Sequence, residues 1–76
     1  METAYIMINC EMGAEGAIVD GVKTISDVKE VSGVFGNYDI IVKVECAGIE
    51  ELRDIITRKI RHMDQVKCTT TLMCAN

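Results

Sequence analysis

Apolar positions along this chain recur at two different periods, and the switches between them mark out six elements. From Ala4 to Cys10 they alternate, with Ala4, Ile6, Ile8 and Cys10 on one side and Tyr5, Met7 and Asn9 on the other, which predicts a strand. Both sides are largely apolar, so this strand should be covered on both faces or lie near an interface. Ala14, Ala17, Ile18, Gly21, Val22 and Ile25 then follow helical spacing and form one buried stripe. Glu15 falls in the first turn of that helix and Lys23 in its last, as the helix dipole favours. Gly16 and Gly21 each cost about 1 kcal/mol relative to alanine. The helix therefore depends on packing, and its small residues suggest a close approach to the sheet.

Val28 to Phe35 is rich in β-branched and aromatic residues, and a turn at Gly36-Asn37 leads into a strand from Tyr38 to Cys46. On that strand Tyr38, Ile40, Val42, Val44 and Cys46 share one face, and Asp39, Ile41, Lys43 and Glu45 the other; the pair predicts a β-hairpin. Ile49, Leu52, Ile55, Ile56, Ile60 and Met63 make a second, stronger helical stripe. Its acidic residues come early and its basic ones late, and Asp54 and Arg58 form an i,i+4 pair. A last strand runs from Val66 to Cys74. Val66, Cys68, Thr70, Leu72 and Cys74 are expected on one face, and Lys67, Thr69, Thr71 and Met73 on the other.

The order β-α-β-β-α-β is that of a ferredoxin-like α+β fold. Right-handed crossovers put both helices on one face of a four-stranded antiparallel sheet. The other face is then expected to carry Tyr5, Met7, Ile41 and Met73 among threonine and asparagine. So apolar a face on so small a domain should not stay in water. Pairing of two sheets across a two-fold axis covers it, giving a homodimer built as a dimeric α/β barrel or sandwich.

At 76 residues the chain makes a single domain, residues 1–76, with a thin stability margin of its own. Half of it is apolar and it has no proline, which excludes a disordered segment. The net charge of −4 argues against direct nucleic-acid contact and against docking on anionic lipid. No apolar run approaches the ~20 residues of a membrane span. Met1-Glu-Thr has neither the basic start nor the apolar core of a secretion signal, so a cytoplasmic location is expected. Cys10, Cys46, Cys68 and Cys74 are widely spaced, without the Cys-x-x-Cys of paired zinc ligands. They read as small buried hydrophobes, with a thiol role for Cys74 as the alternative. No metal and no cofactor is expected. His62 sits among basic residues in the last helical turn, where it is a dipole partner rather than a base. No nucleophile is apparent, and the chain is not expected to be an enzyme.

The polar residues that invite chemistry lie in Gly36-Asn37-Tyr38-Asp39 and in Thr69-Thr70-Thr71. Gly36 opens backbone angles closed to other residues, and Asp39 puts a carboxylate at the mouth of a strand. Read from the residues alone, Asn37 and Asp39 could serve only to hydrogen-bond a turn, Thr69 and Thr71 to build a strand, and Tyr38 to pack in the core. The segment Val-Ser-Gly-Val-Phe-Gly-Asn-Tyr-Asp-Ile, followed by Glu51-Leu52, Lys59-Ile60 and Val66 through Thr69, Thr71 and Leu72, resembles the effector-binding (RAM) domain of Lrp/AsnC regulators. The resemblance runs from Ala4 to Cys74, and its most specific part is Gly-x-Tyr-Asp followed by Thr-x-Thr.

Full-length members of that family carry an N-terminal helix-turn-helix domain. Here Met1 leads within four residues into the first expected strand, so the resemblance implies a stand-alone effector domain that modulates transcription indirectly. It further implies a homodimer assembling into an octamer or similar ring, an amino acid effector bound where dimers meet, and a full-length Lrp/AsnC regulator as a partner. The ligand-binding residues it implies are Gly36, Asn37, Tyr38 and Asp39 from one subunit, with Thr69 and Thr71 from another. Asp39 would accept the ammonium group, and backbone N–H groups around Gly36 and Asn37 would cradle the carboxylate. Two other readings stand beside this one: a purely structural oligomerisation module, and a dimeric α+β barrel oxygenase or isomerase.

Overall fold

The computed structural model describes residues 1–74. Strand β1 (Glu2–Cys10), apolar on both sides, lies inside the sheet. It pairs antiparallel with β3 (Ile40–Cys46) on one side and β4 (Val66–Met73) on the other. Strand β2 (Val28–Gly33) adds antiparallel to β3, giving the order β2-β3-β1-β4. Helix α1 (Glu15–Lys23) connects β1 to β2, and α2 (Ile49–Asp54) connects β3 to β4. This is the expected ferredoxin-like α+β arrangement.

One face of the sheet carries the core. Ala4, Ile6 and Ile8 of β1 and Ile40, Val42 and Val44 of β3 are buried against Ile18 and Val22 of α1 and Leu52, Ile55 and Ile60 of the second helical segment. That second segment is not uniform. After Asp54 it continues as a π-helical stretch, Ile55–Ile60, closed by the Arg61 N–H donating to the Ile56 carbonyl at 2.8 Å. In a π-helix residues five apart lie about one turn apart. The wider winding places Ile60 about one turn from Ile55, and both are buried. The Asp54–Arg58 pair forms at 3.8 Å with both side chains mostly exposed, a geometry of little energetic weight.

Two β-bulges shift the faces of the edge strands. Val28 pairs with Val44 and Glu30 with Lys43, so Lys29 is an extra residue in β2. Cys68 pairs with Asn9 and Val66 with Cys10, so Lys67 is an extra residue in β4. The second bulge corrects the expected faces of the last strand. Val66, Thr69, Thr71 and Met73 share the helix side with Cys10, Ile8, Ile6 and Ala4, whereas Cys68, Thr70 and Leu72 point to the open face. The apolar residues of the open face are accordingly Tyr5, Met7, Ile41 and Leu72, with Leu72 in the place expected for Met73.

The small residues of α1 also serve differently from expectation. Ala17 is exposed. Gly21 approaches not the sheet but Met63, whose Cε would lie 2.9 Å from a Cβ placed on the glycine. Gly16 faces open space, with nothing within 4 Å of such a Cβ. Gly16→Ala should therefore stabilise the fold by about 0.5–1 kcal/mol through helix propensity alone. Urea denaturation of the two proteins checks this, and a loss of stability would contradict the open space at Gly16.

Candidate functional site

The hairpin between β2 and β3 turns through six residues rather than at Gly36-Asn37 alone, because both strands stop short of the expected bounds. The Val34 N–H donates to the Asp39 carbonyl at 2.9 Å and closes the loop. Gly36 sits at φ +122°, in the region that favours glycine, and Gly36 and Asn37 are exposed at the tip.

Asp39 anchors the loop to the sheet. Its N–H donates to the Ile8 carbonyl at 2.9 Å, and its Oδ2 accepts the Cys10 N–H at 2.9 Å. These two contacts fasten the loop to the end of β1, leaving Oδ1 as the carboxylate oxygen outside that bond. Tyr38 does not pack in the core. Its hydroxyl donates to Thr70 Oγ1 at 3.1 Å, which carries the phenol across the end of β1 to the open face.

Beside this loop lies a groove of about 350 Å³ lined by Glu15, Gly33, Val34, Phe35 and Asp39. Its size falls among small-ligand pockets. Phe35, expected inside a strand, stands fully exposed on its wall. Thr69 belongs to a different depression, of about 240 Å³, with Arg61, Val66, Lys67 and Cys68. Thr71 is half-buried opposite Ile6. Ile40, Ile8 and Thr69 lie in one row across the sheet. One whole strand therefore separates Asp39 from Thr69, about 10 Å at normal strand spacing. Within one chain Tyr38 reaches Thr70, but Asp39 does not meet Thr69 or Thr71. Sequence patterning does not single out Glu15, Phe35, Arg61 or Lys67 as site residues, since only the folded chain brings them to the two depressions.

The four thiols differ in exposure. Cys10 and Cys46 are buried, as expected, Cys74 is half-buried, and Cys68 is exposed and accepts a hydrogen bond from Asn9 Nδ2 at 3.4 Å. Burial above all, and then the negative charges of Asp39, Glu15 and Glu11, push the Cys10 thiol above its ordinary range. Burial pushes Cys46 up as well.

Comparison with known proteins decides the family. The Lrp/AsnC ligand binding domain matches residues 3–76. This chain belongs to the Lrp/AsnC family. An uncharacterised HTH-type transcriptional regulator of Pyrococcus furiosus is 30% identical over 74 residues, 93% of this chain and 49% of the regulator. Homocitrate synthase of Sulfurisphaera tokodaii is 39% identical over 69 residues, 90% of this chain but only 15% of the enzyme. The chain thus spans at most half the length of these curated relatives.

Solved structures of nearly the same extent also match this Lrp/AsnC domain. The protein FFRP-DM1 is 36% identical at a TM-score of 0.93, over 97% of this chain and 99% of its own. A Thermus thermophilus protein is 30% identical at a TM-score of 0.96, over 100% of this chain and 95% of its own. Escherichia coli AsnC shares the fold at a TM-score of 0.93 and 24% identity, with 99% of this chain covering 51% of it.

In the native Lrp/AsnC domain Cys68 should react rapidly with a thiol reagent at pH 8, and Cys10 and Cys46 only after unfolding. The two buried thiols also set a sign for alkaline stability. The unfolded chain gives up their protons near the ordinary value of 9.0 while the folded chain retains them. Stability is therefore unaffected below about pH 8 and falls as pH rises past 9. Urea midpoints at pH 7, 9 and 10 measure the fall, and the Cys10→Ala, Cys46→Ala double variant should flatten it.

Proposed function

We propose that this domain senses an amino acid, and that it modulates transcription indirectly through its assembly state without contacting DNA itself. The observation that carries this reading is the groove beside Asp39, which presents a carboxylate on a loop fixed by backbone hydrogen bonds. An α-ammonium group fits that carboxylate. Backbone N–H groups near the left-handed Gly36 and the exposed Asn37 suit an α-carboxylate. Tyr38 holds the loop through Thr70, and Thr69 and Thr71 complete the site from a neighbouring subunit, which their separation from Asp39 within one chain requires.

The relatives support a binding role over a catalytic one. The same domain is matched in a transcriptional regulator and in a small part of a homocitrate synthase. A module shared by proteins of such different output carries neither output itself. A transcriptional regulator of Neisseria meningitidis that shares the fold was solved as a complex with L-Met.

Assembly follows from the open face. Tyr5, Met7, Ile41 and Leu72 form its apolar centre, with Tyr5 37% and Leu72 55% exposed. Lys43 lies beside them between Glu30 and Glu45, at 3.8 and 4.0 Å. Pairing of two such faces gives the homodimer, and dimers meeting at the hairpin loops give an octamer or similar ring that can include a full-length Lrp/AsnC regulator. The chain has no helix long and apolar enough to cross a membrane among the described residues, and a cytoplasmic setting suits the role.

A purely structural oligomerisation module is the second reading. It is favoured by the bond that commits one Asp39 oxygen to Cys10. Calorimetric titration with the twenty amino acids separates the two. At least one should bind with a Kd of millimolar or below and change the sedimentation of the assembly. Asp39→Asn should weaken that binding about ten-fold or more while keeping an acceptor for the Cys10 N–H, so the fold survives. Absence of any binder would leave the structural module standing. A stable monomer in sedimentation at micromolar concentration would overturn the assembly.

A further inference from the structure

The groove beside Asp39 holds a second carboxylate that the amino-acid reading does not use. Glu15, at the first position of α1, lines the same groove as Asp39, and the other lining residues, Gly33, Val34 and Phe35, are uncharged. No basic side chain lines it among the described residues. The ion pairs among those residues join Lys43 to Glu30 and Glu45, and Arg58 to Asp54, so neither Glu15 nor Asp39 is neutralised by a cation there.

Two anionic groups without a cationic partner among the described residues, on one small groove, select by charge. A neutral amino acid satisfies Asp39 with its α-ammonium but leaves Glu15 facing its side chain, and an acidic one meets like charge. An amino acid with a second cationic group satisfies both. Its methylenes lie against Val34 and the exposed ring of Phe35, which suits a flexible aliphatic stem capped by a charge. Resting on the sensing role proposed above, we infer that the ligand is a cationic amino acid of the lysine, ornithine or arginine class, and that Glu15 is the residue that selects it. Glu15 also sits where the dipole of α1 favours an anion. A purely helical role would affect stability and not discrimination.

The test is a calorimetric comparison of L-lysine, L-ornithine and L-arginine with L-norleucine, which keeps the stem of lysine and lacks its ε-ammonium. The tightest of the three cations should bind at least ten-fold more tightly than norleucine. Glu15→Gln should reduce that ratio about five-fold or more by weakening the cations, and Glu15→Asp should restore part of it. Glu50→Gln, which removes the same charge from an exposed site on α2, should leave the ratio intact and so excludes a general attraction of cations to an acidic protein. Melting curves confirm that each variant is folded. Norleucine binding as tightly as the cations, or a ratio indifferent to Glu15→Gln, overturns the inference while leaving amino-acid sensing intact. If none of the twenty amino acids binds, both fall together.

Discussion

Two helices can cover only one face of a four-stranded sheet, and among the described residues no further element is left to cover the other. The covered face is filled by Ile6, Ile8, Ile40, Val42 and Val44, all essentially inaccessible to water. The open face keeps Tyr5, Met7, Ile41 and Leu72 in a contiguous arrangement across β3, β1 and β4. Removing apolar surface from water is the largest favourable term available to so small a domain. Leaving that surface bare forgoes it, and the proposed assembly would recover it.

Details of the edge strands follow from filling that single core. The extra residue Lys29 lets both Val28 and Val31 face inward although they are three apart, and Lys67 does the same for Val66 and Thr69. The π-helical winding after Asp54 is the helical counterpart, returning Ile60 to the core side five residues after Ile55. In each case one residue too many for regular structure is absorbed locally so that the apolar residues keep their places. The bulge at Lys67 also decides which threonine meets Tyr38. It sends Thr70 to the open face and turns Thr69 toward a separate cleft.

Asp39 joins the architecture to the binding chemistry. Its backbone and one carboxylate oxygen fix the hairpin loop to β1, and its other oxygen is left beside the groove. A loop held this way presents its polar groups with little ordering left to do when a ligand arrives, which favours binding. In the proposed assembly the loop elements at the ends of β1, β3 and β4 would lie where subunits meet, and occupancy and assembly would then be coupled. The match of this domain in both a regulator and an enzyme accords with a module whose input is built in and whose output depends on what it is joined to.

The order of the elements, the membership of the core and the Lrp/AsnC family were legible in the sequence. Period-two and helical spacing report directly on which side of an element is apolar, and the Gly-x-Tyr-Asp and Thr-x-Thr pairs carried the resemblance to that family. Those signals are local, and each residue's neighbours in the chain suffice to produce them. The faces of the last strand, the winding of the second helix and the company that Asp39 keeps were decided only by the tertiary structure. A bulge depends on the partner strand and reverses a pattern read from one strand alone, which is how Leu72 took the place expected for Met73. Glu15 reaches the loop that carries Phe35 and Asp39 because the chain crosses from β1 through α1 to β2 before the hairpin turns into β3, and no spacing along the sequence encodes that meeting.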